Sequence, residues 1–174
     1  LVAGVGLFDA VAAVAGQARL TDLRLKWPND ILLGTAKLGG ILVESSRGAA
    51  TAAAVIGIGL NVTAAPAVAG RAVTSLARVG VTVSRERLLE ELSRTLLAWI
   101  VRWDDGRGFG AVRSAWVVRA GAVGEPIVVR SATGEIAGLY RGLDEGGALV
   151  VETEVGRTVR VSHGDVDLGG SSEI

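Results

Sequence analysis

Cysteine and methionine are absent from the 174 residues, histidine occurs once, proline three times, and aromatic side chains make up 4%. Without cysteine there is no disulfide framework and no thiolate metal site. The one histidine, His163 in SHGD, lacks the second imidazole or thiol that a zinc site needs and reads as a turn residue. An excess of one charge is lacking too. Eighteen basic groups face eighteen acidic ones, and no basic run exceeds two residues, which argues against a groove that tracks nucleic-acid phosphates. Long apolar runs are also missing. LVAGVGLFDAVAAVAG, residues 1–16, is interrupted by Asp9, has no basic segment before it, and falls short of the roughly 20 residues of a membrane span. The expectation is a buried helix ended by Gly16, in a soluble protein of the cytoplasm. A chain that starts at Leu1 and holds no methionine is expected to be a piece of a longer one.

What is present divides into two textures. LRLKW alternates as a strand, with Leu23, Leu25 and Trp27 on one face and Arg24 and Lys26 on the other. Pro28 interrupts the ladder, ILL resumes it, GTA turns, and KLGGILVESS leads out again. AAAVIGIGLNV, residues 52–62, has the apolar run expected of a central strand. Residues 63–82 read as loop with some helix. Ser84 then caps a helix to residue 103 whose apolar positions are 88, 89, 92, 96, 97 and 100. Phe109–Val118 adds a further helix, and residues 120–124 read as a linker. Beyond it EPIVVRS, GEIAGLYRGL, GALVVET and RTVRVS are four short strands separated by turn residues, the pattern of a small β-barrel. The expected architecture is α/β: a mixed sheet backed by helices over 1–120, then a barrel resembling the Src homology 3 fold over 121–174.

Rare side chains gather in one window. Only two of the 18 basic groups are lysine, Lys26 and Lys37, and only two asparagines occur, Asn29 and Asn61. Arginine everywhere else suggests that these two positions want a compact ammonium rather than a planar fork. Taken singly, each lysine reads as a solvated strand residue, Asn29 and Asp30 after Pro28 as an ordinary turn, and Gly39, Gly40, Gly57 and Gly59 as bulge glycines or as places where a ligand nears the backbone.

KWPND, followed by KLGGILVE and then GIGLNV, resembles the catalytic domain of the biotin protein ligases, in which three such segments occur in this order. The later TSL, the amphipathic helix and GLYRGLDEGGALVV fit the same family. The resemblance implies a two-step ATP-dependent ligation: biotin and MgATP give biotinyl-5′-adenylate and pyrophosphate, then a lysine of a biotin carboxyl carrier protein takes the biotinyl group and AMP leaves. A carboxylate must attack a phosphorus inside a polyanion. At 4 Å two unit charges repel by about 4 kcal/mol for an effective dielectric constant near 20, so cations have to stand there first. By position in the motif the resemblance assigns Lys37 to charge neutralisation on the biotin carboxylate and the phosphate, and not to covalent attack. It places Gly39, Gly40, Gly57 and Gly59 against biotin, and Asn29, Asp30, Lys26 and Asn61 near the nucleotide. Asp30 is its candidate for Mg²⁺, which takes oxygen ligands. Trp27 is expected to pack.

One departure stands out. The family's Gly-Arg-rich segment of the form GRGRxGRxW, which folds over biotin and the adenylate, does not occur in residues 1–174, nor does a winged DNA-binding domain. The chain alone is therefore expected to bind biotin weakly or not at all and to make no adenylate at a useful rate. Two other readings stay open: a non-catalytic binding or dimerisation module whose sheet edge and barrel serve as protein contacts, and a lipoate-type ligase on the same broad fold.

Overall fold

The computed structural model describes residues 1–16, 20–47, 52–131 and 134–168. The expected turn at Thr133 and the barrel's last residues, 169–174, lie outside the described set. In chain order the elements are α1 (Val2–Ala15), β1 (Leu23–Lys26), β2 (Asp30–Leu33), β3 (Ala36–Arg47), β4 (Ala52–Leu60), α2 (Arg85–Trp103), α3 (Phe109–Arg119), and then β5 (Pro126–Ser131), β6 (Gly134–Leu143), β7 (Leu149–Glu152), β8 (Thr158–Val161) and β9 (Asp165–Leu168).

The first four strands form one antiparallel sheet in sequence order. Their alternation sorts the side chains onto two faces. Leu23, Leu25, Ile31 and Ile41 are buried on the face covered by α1 and α3, with α2 packed on these two. On the other face the register sets Lys26 opposite Asp30, Asp30 opposite Gly40, and Gly40 opposite Gly59. Leu42 opposite Gly57 and Glu44 opposite Val55 continue that face toward its bare end.

α1 ends at Gly16, whose φ of 72° suits glycine. It lies close against α2: a Cβ on Gly6 would stand 3.1 Å from the Cα of Leu96, and the Thr95 hydroxyl donates to the carbonyl of Gly6 at 2.8 Å. Asp9, which interrupts the apolar run of the sequence, accepts from the indole N–H of Trp99 at 2.8 Å and from Arg119 Nε at 3.0 Å. That fastens the three helices together.

The structure corrects two expectations here. α2 is capped by Ser84, whose hydroxyl accepts from the amide of Arg87, but its buried stripe is Leu88, Glu91, Thr95 and Trp99, while Leu89 and Leu97 are each 62% exposed. Polar residues won these positions because each finds a partner: Arg94 for Glu91, Gly6 for Thr95 and Asp9 for Trp99. β4 is not central but the edge of the sheet, and Val55 is 66% exposed. An apolar run reports that a strand can be covered, not that this chain covers it.

The C-terminal unit is a five-stranded antiparallel sheet in the order β8-β7-β6-β5-β9, a small barrel of the Src homology 3 type around Ile127, Val129, Tyr140, Leu149, Val151 and Val166. Its fifth strand, β9, goes beyond the four read from the sequence. DVDL alternates acid with apolar residue, and its signal was the pairing of Val166 with Leu168 after Gly164. His163 lies in the exposed bend before it, a turn residue as expected.

The glycines of the GG pair do different jobs. A Cβ on Gly39 would sit 2.5 Å from the carbonyl oxygen of Gly59 and 2.9 Å from Leu60 Cδ1, so the fold itself requires glycine there. Gly39→Ala is expected to destabilise by roughly 1–3 kcal/mol, whereas Gly57→Ala, whose Cβ would have no neighbour nearer than 3.7 Å, should leave thermal unfolding almost unchanged. Equal melting temperatures for the two variants would contradict this.

Candidate active site

The barrel docks on the non-helical face of the sheet at its β1 end. Arg24 donates to both carboxylate oxygens of Glu125, at 2.8 and 3.1 Å, across the junction. The indole N–H of Trp27, itself buried, donates to Gly147 O of the barrel at 3.3 Å. Where barrel and sheet diverge, a cleft of about 450 Å³ opens, lined by Lys26, Asp30, Thr35, Lys37 and Arg71 on one side and by Val128, Arg130, Asp167 and Leu168 on the other.

Both lysines of the chain meet one carboxylate in this cleft. Asp30 is 5% exposed; its Oδ1 accepts from Lys37 Nζ at 2.5 Å and its Oδ2 lies 3.3 Å from Lys26 Nζ. A protonated amine has three donors. Lys26 donates to Asp165 Oδ1 at 3.0 Å and to the carbonyl of Val166 at 2.8 Å, and its ammonium lies 3.3 Å from Asp30 Oδ2 as an ion pair. A planar guanidinium fork does not match three acceptors set around one point, which is why lysine rather than arginine stands at 26.

Lys37 differs. Among the described residues its ammonium donates to Asp30 alone, a third of its side chain is exposed, and it lines the cleft. Two donors are thus available to an incoming anion. The two lysines divide their labour: Lys26 is nearly buried among Asp165, Val166 and Asp30, and Lys37 is held by Asp30 and presented to the cleft.

The backbone around Lys37 is fixed from both sides. Its N–H donates to the carbonyl of Ala72 and its carbonyl accepts from the N–H of Thr74, each at 2.9 Å. The segment that supplies these bonds is itself held by Asn61, whose side-chain amide donates to Thr74 O at 2.9 Å. Asn29 is clipped likewise, donating to Ile41 O at 2.7 Å. Gly40 makes room for the ion pair, since a Cβ there would lie 3.2 Å from Asp30 Oδ1 and 3.3 Å from Lys37 Nζ.

Burial alone would raise the pKa of Asp165, but hydrogen bonds and charge from Lys26 and Arg71 outweigh it and hold the carboxyl below the usual range. The clamp between barrel and sheet is accordingly present above the ordinary carboxylate pKa and is lost as pH falls through the lower folded value.

Set against the sequence reading, Lys26, Asp30, Lys37 and Gly40 converge. Lys26, expected near the nucleotide, lines the cleft and is tied to Asp165, Val166 and Asp30 within the chain. At Gly39 the packing against Gly59 and Leu60 already demands glycine. Gly57 and Gly59 lie on the bare face, where nothing in the chain demands glycine. Asp30 does not offer the donor set of a divalent cation: each of its oxygens faces an ammonium, and among the described residues no three acidic or imidazole groups cluster. Arg71, Asp165 and Asp167 escaped the sequence reading, since nothing local tells a loop arginine or a strand aspartate which element it will face.

Residues 1–118 match the model of the Biotin/lipoate A/B protein ligase family, and residues 122–169 that of the Biotin protein ligase C terminal domain. The chain is similar to a biotin–[acetyl-CoA-carboxylase] ligase of Paracoccus denitrificans, 37% identical over 97% of this chain and 72% of that protein. It is similar to one of Mycobacterium tuberculosis, 36% identical over 95% of this chain and 60% of that protein. The structure of the Aquifex aeolicus biotin protein ligase in complex with biotin and ATP shares the fold, with a TM-score of 0.78 at 22% identity over 96% of this chain and 68% of that one.

Proposed function

Since the chain belongs to the biotin protein ligase family, as its two family domains and its similarity along nearly its whole length establish, we propose that its cleft activates biotin with ATP and passes the biotinyl group to a lysine of a carrier domain. The observation that carries the reading is the ammonium of Lys37, fixed by Asp30 yet with two donors turned to the cleft.

In the first step an oxygen of the biotin carboxylate bonds to the α-phosphorus, the bond from that phosphorus to the bridging oxygen breaks, and pyrophosphate leaves. Lys37 faces both anions and lowers their repulsion before contact. It does so without reorganising, because Asp30 and the backbone bonds at Ala72 and Thr74 hold it beforehand. In the second step a carrier amine attacks the acyl carbon, gives up a proton, and AMP departs with its negative charge beside the same ammonium. Magnesium, which would neutralise the triphosphate when bound, would take its oxygen ligands from the phosphates, since both oxygens of Asp30 face ammonium groups. Asn61 acts by positioning the segment that clamps Lys37, and Gly40, Gly57 and Gly59 leave the sheet face low enough for a ligand to approach the backbone.

Among the described residues no helix is long and apolar enough to cross a membrane, and the cytoplasm, with its ATP and carboxylases, is the proposed location. A second copy pairing along the free edge of β4 is the homodimer this reading allows.

The test has two arms. Calorimetric titration of residues 1–174 with biotin should give little or no heat, because no Gly-Arg-rich segment is present to fold over the ligand. The same chain with a family Gly-Arg-rich segment joined ahead of Leu1 should label a carrier domain with biotin, dependent on ATP, and prefer biotin to lipoate. Tight binding by the first protein would refute the need for the arginine segment. Failure of the second to label with either acid would refute the ligase reading, and a preference for lipoate would refute the biotin assignment.

A further inference from the structure

Charges alternate without a break from a surface loop to the presented ammonium. Arg71 donates to Asp165 Oδ2 at 2.7 Å, Lys26 donates to Asp165 Oδ1 at 3.0 Å, Lys26 stands 3.3 Å from Asp30 Oδ2, and Lys37 donates to Asp30 Oδ1 at 2.5 Å. The middle of this row is buried. The side chains of Lys26 and Asp30 are 11% and 6% exposed, against 46% for Asp165 and 51% for Arg71. Coulomb interactions in the middle are consequently screened least. Asp165 is the only member contributed by the barrel, and with the carbonyl of Val166 it forms two of the three contacts that fix Lys26.

We propose that Asp165 of the C-terminal barrel is a positioning residue for Lys37, acting through Lys26 and Asp30. With Asp165 in place, Lys26 is drawn toward the barrel and its approach to Asp30 stays long, so Asp30 is left to hold Lys37 closely. Without that negative charge, Lys26 must turn to Asp30 as its one remaining carboxylate. It then competes with Lys37 for the same group. The barrel thereby sets how tightly the presented ammonium is held, and how freely it can turn to an anion in the cleft. This gives the second domain a part in the chemistry other than walling the cleft. The inference deepens the ligase reading, which supplies the reason why Lys37 matters, but its test needs neither biotin nor ATP.

The composition makes that test direct. With lysine only at 26 and 37, a protein grown on lysine labelled with ¹³C at Cε gives two methylene signals, both from this row. Asp165→Asn should move both signals and change the mobility measured by relaxation at Lys37, whose nitrogen it never touches. Asp165→Glu should restore the Lys37 signal in part. Asp167→Asn, on the same strand but paired with Arg130, should leave both where they were. Arg71→Ala removes the competitor for Asp165 and should move the Lys26 signal opposite to Asp165→Asn. Should Asp165→Asn fail to fold, judged by the amide signals of Val129 and Val151, Arg71→Ala decides alone. A Lys37 signal that stays still in the folded Asp165→Asn protein, or in Arg71→Ala if that one must decide, while the Lys26 signal shifts, overturns the proposal, because the coupling would then end at Lys26. If both lysines respond as expected and the extended chain still fails to biotinylate, the ligase reading falls and the charge row stands.

Discussion

Lys37→Ala in the extended chain is expected to slow formation of biotinyl-adenylate by about 10²–10³-fold, the usual loss when one preorganised donor to a reacting anion is removed. The size follows from what the cleft keeps. Lys26 remains, yet it is nearly buried, hydrogen-bonded to Asp165 and Val166 and ion-paired with Asp30, so the neighbouring positive charge cannot take over the contact without unfastening the barrel. Lys37→Arg preserves the charge and should recover only part of the rate, since a planar fork beside Gly40 cannot reproduce the ammonium's approach to Asp30. Single-turnover measurement with saturating biotin and ATP separates this from weaker binding. A rate within a few-fold of the parent would remove Lys37 from the chemistry altogether.

Asp30→Ala is expected to cost stability as well as activity. It leaves two ammonium groups facing each other across a buried gap, one 11% and the other 33% exposed. Removing one side of a buried ion pair costs about 3–5 kcal/mol. The partial exposure of Lys37 and the two other partners of Lys26 place the loss near the lower figure. For a chain of this size about 3 kcal/mol corresponds to a fall in Tm of roughly 6–12 °C. Asp30→Asn, which can still accept hydrogen bonds but lacks the charge, should fall between. Thermal unfolding followed by circular dichroism checks both, and an Asp30→Ala protein as stable as the parent would mean that the carboxylate holds neither lysine in solution.

Much of this molecule could be read along the chain because its signals are local. The helix at 85–103 announces itself through Ser84 and a 3.6-residue period, the first strands through alternation, and the barrel through turn residues between short apolar runs. The gathering of Lys26, Asn29, Asp30 and Lys37 into one window was equally visible. The misreadings arose where a property belongs to a pair of elements. The exposure of β4 depends on what lies beside it; the burial of Glu91 and Thr95 depends on Arg94 and on the carbonyl of Gly6. Gly39 and Gly40 are adjacent and chemically identical, and only the register against β4 and the direction of each missing Cβ tell that the first is demanded by Gly59 and the second by an ion pair.

By itself, then, the sequence determined which residues carry charge and flexibility, where the chain turns, and that two lysines would stand four and seven positions either side of one aspartate. The tertiary structure decided which lysine is engaged and which is presented. That choice follows from the docking of β9 against β1, which brings Asp165 and Val166 to Lys26 from about 140 residues away, a distance over which no local propensity acts and only packing between finished elements can select a partner.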